Sequence, residues 1–254
     1  MTDDEKQILK VGADAAIKPF SNLIEKLFGG CAEELGGMWQ DALQVRRFNR
    51  RLKLYKRTME MIEKAGFEPR QIPDKIWVPV LQAASLEDDE ALQDRWAALL
   101  ANAANPIRDA LIHPCFSDIL SQLTGPEAVL LEAMADSVLA QLMKTCHGDI
   151  CPSAFMDEAK LGSFTDLCRL YVDVGLIPAS DVRYLGPNND YPNFEGWSQK
   201  SLFVTTLDNL MRLSLIENYP TLEGKKFATL EDGEYRMTAL GFEFVSACRA
   251  PKTA

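Results

Sequence analysis

Apolar residues recur at intervals of three and four positions over much of the chain, and because this spacing places them on one face of a helix, it predicts a mainly α-helical protein. The most extended pattern predicts one helix from about Cys31 to Ala65, and Gly66 follows it where a helix C-cap glycine belongs. A shorter pattern predicts another helix from Ile17 to Phe28. We therefore expect amphipathic helices that bury one face each.

The next helices are predicted from proline and capping signals. The apolar run from Ile76 to Ala84 contains Pro79, which we expect to kink or divide it. Ser85 and Asp88 lie three residues apart and resemble a capping box, which predicts the start of a further helix. The buried stripe of that helix is predicted to contain Leu92, Trp96, Leu99, Leu100 and Ala103.

The C-terminal part of the chain combines helical patterns with one predicted β-hairpin. Helices are predicted over 113–123, 126–144, 164–174, 201–213 and 239–248. Leu215–Tyr219 and Glu234–Met237 alternate apolar and polar residues and predict the hairpin, whereas Gly, Pro and Asn residues within 178–199 predict a long irregular connection. Two helices, a hairpin and a last helix follow the order of a winged-helix module. Its predicted core contains Leu207, Leu210, Leu213, Ile216, Met237, Leu240 and Phe244. We therefore expect two domains, a helical domain over 1–145 and a smaller winged-helix-like domain over 146–254.

Charge and cysteine content limit the expected partners and location. The net charge is −10, and residues 1–117 hold 16 basic and 18 acidic residues while 118–254 hold 11 and 19. The C-terminal half, at −8, is a poor candidate for neutralising nucleic-acid phosphates. The longest stretch without a charged residue, 96–107, is too short to cross a bilayer. The acidic start of the chain does not resemble a secretory signal, so we expect a cytoplasmic protein whose six cysteines are reduced.

The sequence contains no recognisable motif for nucleotide binding, nucleophilic catalysis or metal binding. Cys146–Cys151 holds four potential ligands in six residues, but structural zinc normally uses two separated ligand pairs and no second pair follows. His113 precedes Pro114 and is one of only two histidines, so we expect it to bond backbone groups at the start of a helix. We predict no catalytic residue, metal or cofactor.

Seven cations lie within twelve residues of the long predicted helix, and we call them the basic stripe. They are Arg46, Arg47, Arg50, Arg51, Lys53, Lys56 and Arg57. Clustered cations attract the phosphates of lipids or nucleic acids, so the stripe could contact an anion or a membrane surface. The alternative is that these cations pair with acidic residues of the same chain, such as Glu87 to Glu90.

The sequence of segment 81–103 is Leu-Gln-Ala-Ala-Ser-Leu-Glu-Asp-Asp-Glu-Ala-Leu-Gln-Asp-Arg-Trp-Ala-Ala-Leu-Leu-Ala-Asn-Ala. This segment resembles the signature of the bacterial Abi-alpha (abortive infection alpha) family. The downstream sequence His113-Pro114-Cys115-Phe116 and the basic helix upstream also resemble that family. The family-like residues are chiefly Glu87, Asp88, Leu92, Asp94, Trp96, Asn102, His113 and Pro114. The resemblance implies a role in phage defence, in which an infected cell is arrested or killed before phage are released. It supplies no catalytic residue.

Three functions remain open at this stage. The leading hypothesis is a non-enzymatic antiphage effector or adaptor that acts through a protein partner, self-association or the inner membrane surface. The second is a DNA-binding regulator whose winged helix uses Lys200 and Arg212 near the recognition helix and Lys225 and Lys226 in the wing, although the acidic half makes nucleic acid the less favoured partner. The third is an enzyme with an unfamiliar site around His113, Asp94 and Asn102.

Overall fold

The computed structural model describes residues 26, 42–106, 112–145, 159–185, 191–219 and 233–252, and the prediction of a mainly helical protein is confirmed in them. The helices are α1 Ala42–Ala65, α2 Asp74–Ala84, α3 Glu90–Ala103, α4 Cys115–Ser121, α5 Gly125–Thr145, α6 Phe164–Asp173, α7 Trp197–Arg212 and α8 Ala239–Cys248. The strands are β1 Lys160–Ser163, β2 Val182–Leu185, β3 Tyr191–Phe194, β4 Ile216–Tyr219 and β5 Glu234–Met237.

The chain divides into two compact units, and the division falls between Leu123 and Thr124 and again between Ser246 and Ala247. The first unit contains α1 to α4 and the chain from Ala247, which includes the last two residues of α8, and the second contains α5 to α7, the five strands and α8 up to Ser246. Helix α5 therefore belongs to the second unit, although the sequence placed it before the expected boundary at residue 145.

In the first unit, α1 and α2 pack against α3, and α2 also packs against α4. Trp96 lies at the centre of the core, where none of its surface is exposed, and the other buried stripe positions predicted on α3 are buried as well. Helix α1 ends at Ala65 as predicted, and Gly66 takes a positive φ of 75° while its N–H donates to the carbonyl of Ile62 at 2.9 Å. The predicted helix at 17–28 and the predicted start of the long helix lie outside the described residues, apart from helical Lys26.

One of the two expectations for Pro79 and the predicted cap of α3 are wrong. Pro79 does not divide the apolar run, since it lies inside α2, a single helix from Asp74 to Ala84. Ser85 does not cap α3, because α2 extends to Ala84 and leaves Ser85 at its C-terminal end, where its hydroxyl donates to the carbonyl of Gln82. The N-cap of α3 is Asp89, whose carboxylate accepts the N–H groups of Ala91 at 2.8 Å and Leu92 at 3.1 Å.

The second unit contains an antiparallel sheet with the strand order β1-β5-β4. Ile216 pairs with Met237 and Tyr219 with Glu234, which confirms the predicted hairpin. Strand β1, which the sequence pattern did not predict, pairs with the other edge of β5.

The predicted irregular connection over 178–199 is also wrong. It contains a short 3-10 turn at Ala179–Asp181 and a second antiparallel pair, β2 and β3, in which Val182 faces Phe194 and Leu185 faces Tyr191. Helix α7 begins within it, at Trp197. Strands β2 and β3 lie on either side of 186–190, which falls outside the described residues.

An aromatic cluster lies in the core of the second unit. Phe203 of α7 is fully buried, and its ring lies 5.0 Å from that of Tyr171, 5.1 Å from that of Phe164 and 6.0 Å from that of Phe194. Six of the seven predicted core positions of this region are buried, and Leu240 is half-buried. The hydrophobic periodicity therefore identified the inward faces of α7 and α8 correctly.

Candidate functional site

The basic stripe covers more than one side of α1. Arg46, Lys53 and Lys56 are exposed, whereas Arg50 and Arg57 are half-buried beside the turn that leads into α3. The apolar side of α1, which includes Leu54, Tyr55 and Ile62, is buried in the first unit, where α1 packs against α3. Because an interfacial helix inserts its apolar face into the lipid, this buried side of α1 is not available to a membrane in the fold.

Lys53 and Arg57 of the stripe pair with acidic residues at the start of α3. Lys53 Nζ lies 2.9 Å from Glu90 Oε1, and Arg57 forms ion pairs with Glu90 and, at 3.2 Å, with Asp94 Oδ1. Hydrogen bonds from Lys53 and Arg57 hold the pKa of the Glu90 carboxyl below its ordinary value of 4.5. For these cations the structure shows the internal pairing that the sequence left as an alternative to anion binding.

Arg50 is held mainly by backbone groups. Its Nη1 donates to the carbonyl of Leu86 at 2.9 Å, and its Nη2 lies 3.9 Å from Asp88 Oδ2. Arg50 therefore joins the middle of α1 to the turn between α2 and α3.

The four other cations of the stripe, Arg46, Arg47, Arg51 and Lys56, have no ion pair or hydrogen bond within the part of the chain that the structure describes. Arg47 and Arg51 are half-buried, and the Nε atom of each is enclosed without an acceptor. Tyr55 follows Arg51 by one turn, and burial raises its pKa to about 12 while the charge of Arg51 opposes that rise. Its phenol is protonated at neutral pH and supplies no negative charge to the two arginines.

The family-like residues near the start of α3 have structural contacts. Glu87 Oε1 accepts the N–H groups of Asp88 and Asp89, each at 3.0 Å, and so shapes the turn. Asp94 pairs with Arg57, and Leu92 and Trp96 are buried. The signature in this region therefore defines how α1, the turn and α3 fit together.

Asn102 has a long-range contact that local sequence could not reveal. Its side-chain amide donates to the carbonyls of Ala247 at 2.9 Å and Arg249 at 2.7 Å, and the residue is 3% exposed. It therefore holds the end of the chain against α3 within the first unit.

His113 lies two residues before the start of α4 and accepts the N–H of Cys115 at its Nδ1 atom at 3.3 Å, in line with the predicted backbone contact. The same nitrogen lies 2.9 Å from Cys115 Sγ, but burial and the charge of Asp118 raise the pKa of that thiol, which disfavours the reactive thiolate. Pro114 takes the N-cap position of α4. His113, Asp94 and Asn102, proposed together as a catalytic cluster, each contact a different set of partners.

Two buried polar residues, one in each unit, were not predicted to make structural contacts. Gln93 is 5% exposed and donates from Nε2 to the carbonyl of Glu87 at 2.8 Å. Its position three residues before Trp96, on the apolar side of α3, was a readable signal of a buried polar contact. Glu127, 5% exposed on α5, accepts hydrogen bonds from the Thr124 backbone at 2.7 Å and Asn209 Nδ2 at 2.8 Å.

The candidate DNA contacts of the second unit are only partly described. Arg212 donates from Nε and Nη2 to Asn209 Oδ1 at 3.2 and 2.7 Å, so its guanidinium is turned along its own helix. Lys200 is half-buried, and Lys225 and Lys226 lie outside the described residues. The largest exposed apolar side chain of α7 is Trp197, which is 83% exposed, and Leu202 is 51% exposed.

The described residues contain neither a metal-binding cluster nor a membrane-spanning helix. In the described ranges, no group of three or more His, Cys, Asp or Glu side chains could hold a metal ion, and Cys146–Cys151 falls outside them. No helix in those ranges combines the length and hydropathy that crossing a bilayer requires.

Comparison with known proteins identifies one family. The family described as abortive infection alpha matches residues 47–248, which covers most of the chain and both units. This match confirms the resemblance that was first seen in segment 81–103. No curated protein and no solved structure matches the chain.

Proposed function

The chain belongs to the abortive infection alpha family, and from that premise we propose that it is a non-enzymatic antiphage effector or adaptor that works in the cytoplasm by contacting a protein partner. The observation that carries the non-enzymatic part is the use of the polar signature residues. Glu87, Asp94 and Asn102 shape a turn, an ion pair and a chain-end contact, so the family signature maintains a fold.

We further propose that the second unit is a winged-helix-like module used for protein contact. The strand order β1-β5-β4, with α5, α6 and α7 preceding the β4–β5 hairpin along the chain, supports the winged-helix comparison. Helix α7 occupies the position of a recognition helix in that comparison. Its exposed Trp197 and Leu202, together with an Arg212 engaged by Asn209, favour a protein partner over a phosphate backbone.

Membrane contact is the weaker form of the proposal. The apolar side of α1 is buried, so attraction to a membrane would depend on exposed cations such as Arg46 and Lys56 alone. Such binding would be electrostatic and would weaken as salt is added.

The defence role is tested by expressing the protein from an inducible promoter with and without phage, while plaques and host viability are scored separately. We expect fewer plaques together with reduced survival of infected cells. The double variant Trp197→Ala/Leu202→Ala should lose protection without a change in melting temperature, whereas Glu60→Ala, on the exposed side of α1, should protect normally. Unchanged plaque numbers would refute the defence role, and protection with full survival of infected cells would refute abortive infection.

A further inference from the structure

Arg47 and Arg51 form a pair of like charges that no carboxylate of the described residues neutralises. They lie one turn apart on α1, on the side that also carries the buried residues Leu54, Tyr55 and Thr58. Both residues are half-buried, and the Nε of each is enclosed without an acceptor among the described residues. Their neighbours Arg50, Lys53 and Arg57 all have carboxylate partners at the start of α3. The pair therefore differs from these paired cations, and its half-burial distinguishes it from the exposed Arg46 and Lys56.

Such an arrangement is unfavourable unless an anion joins it. Like charges one turn apart on a helix repel each other, and partial burial weakens the screening by water. An enclosed N–H without an acceptor adds a desolvation cost. Tyr55 cannot offset the charge, because its phenol is protonated at neutral pH. A ligand with several negatively charged oxygens would offset the charge and supply acceptors to the Nη groups, which are not among the enclosed atoms.

The geometry and chemistry favour a phosphate group. Arginine presents a planar fork of N–H donors that binds phosphate oxygens in pairs, and two forks one helical turn apart can share one phosphate. The partial burial also selects the size of the ligand. A flat membrane or a nucleic-acid duplex would first meet the exposed Arg46, Lys53 and Lys56, whereas a small anion can reach a recessed pair.

We propose that Arg47 and Arg51 form a binding site for the phosphate group of a small molecule, such as inorganic phosphate or a nucleotide. The site does not depend on the proposed defence role, since it can be measured on the purified chain. Binding neutralises the pair and supplies acceptors for guanidinium N–H groups, so it also stabilises the first unit against unfolding.

The test is calorimetric titration of the full chain with inorganic phosphate, pyrophosphate and a nucleoside triphosphate at one low ionic strength. Arg47→Gln/Arg51→Gln should weaken binding by about tenfold or more, because both forks are removed. Arg46→Gln/Lys56→Gln removes the same charge from exposed positions and should change binding by no more than about twofold. Arg47→Lys/Arg51→Lys keeps the charge but removes the fork, and it should bind several-fold more weakly than wild type. Thermal melts of each variant without ligand establish that it is folded.

Several results would overturn the site. They are the lack of saturable binding of any small phosphate by wild type, an equal loss in the exposed-cation control, and full affinity in the lysine variant. Parallel titrations with phosphatidylglycerol vesicles and with an oligonucleotide address the other phosphate sources. Binding to either of these without binding to small phosphates would also refute the proposal.

Discussion

The side-chain amide of Asn102 lies 2.7 Å from the backbone carbonyl oxygen of Arg249, to which it donates a hydrogen bond. A second hydrogen bond, to the carbonyl of Ala247 at 2.9 Å, uses the same nitrogen. Asn102 thus satisfies two carbonyls near the end of α8, where a helix leaves its last carbonyls without intrahelical partners. This contact gives a physical reason for an asparagine in the family-like segment.

Replacing Asn102 by alanine should destabilise the protein by about 1 to 3 kcal/mol, because two carbonyls lose their donor in a buried setting. Urea denaturation of the variant and wild type measures this loss. Asn49→Ala is the matched control, since Asn49 is exposed on α1 and its replacement should change stability by less than about 0.5 kcal/mol. Equal stability of N102A and wild type would mean that the two hydrogen bonds contribute nothing in solution.

Trp96→Ala should cost about 3 to 5 kcal/mol, because the cavity that it leaves is surrounded by packed core residues. Trp96 is fully buried, and its Nε1 has no hydrogen-bond partner in the described structure, so the loss comes from packing alone. Trp197→Ala removes the same side chain from a position that is 83% exposed and should change stability by less than about 0.5 kcal/mol. Guanidinium denaturation of both variants checks the difference, and similar midpoints would contradict the assigned burial.

The corrected N-cap of α3 gives a third prediction. Asp89→Ala removes the acceptor for two backbone N–H groups and should cost about 0.5 to 2 kcal/mol. Asp88→Ala should cost less stability, since Asp88 is highly exposed and its ion pair with Arg50, at the long distance of 3.9 Å, is weak. The order of the two losses in urea titrations decides between Asp89 and the Ser85–Asp88 pair as the cap.

The local sequence was sufficient to predict elements whose boundaries or buried faces are marked by their own residues. Gly66 marked the end of α1, and the predicted span of α8 agrees with the structure from Ala239 to Cys248. The spacing of apolar residues also identified Trp96 as a core residue. In these cases the same few residues determine both the local conformation and the buried face.

Tertiary contacts decided the features that sequence could not predict. From local sequence, Ser85 was a reasonable N-cap for α3. In the structure α2 continues through Pro79 to Ala84, so α3 starts several residues later, at Glu90. Likewise, seven neighbouring cations look equivalent in sequence, but only the packing of α1 against α3 determines that Arg57 meets Glu90 while Arg51 does not. The Asn102 contact joins residues more than 140 positions apart, so no local pattern could indicate it.

Cysteine reactivity should follow burial. The Cys168 thiol is fully buried, and desolvation raises its pKa to about 11, so the thiolate fraction at pH 7 is about one in ten thousand. Cys115 is half-buried and should react with N-ethylmaleimide before Cys168 does. Peptide mapping after brief labelling measures the order, and labelling in denaturant is the control in which both thiols react. Faster labelling of native Cys168 would contradict its burial.

The ion pairs of Glu90 predict a dependence of stability on pH. Lys53 and Arg57 lower the pKa of the folded Glu90 carboxyl below 4.5, so the folded state binds this proton less readily than the unfolded state. The stabilisation is therefore complete above pH 4.5 and is lost as the pH falls through the lowered folded value. Glu90→Gln removes the charge, so the melting temperature of wild type should exceed that of the variant at pH 7.

The difference between wild type and E90Q should shrink steadily below pH 4.5, because the wild-type carboxyl then becomes neutral as well. Added salt should reduce it at pH 7, since Glu90 is largely exposed and its ion pairs are screened. Glu63→Gln is the matched control, because Glu63 is exposed on α1 and has no ion pair among the described residues, so its replacement should have a smaller effect at pH 7. A melting difference for E90Q that stays constant from pH 7 to pH 2.5 would show that the glutamine acts through packing or hydrogen bonding, and not through the charge that joins α3 to α1.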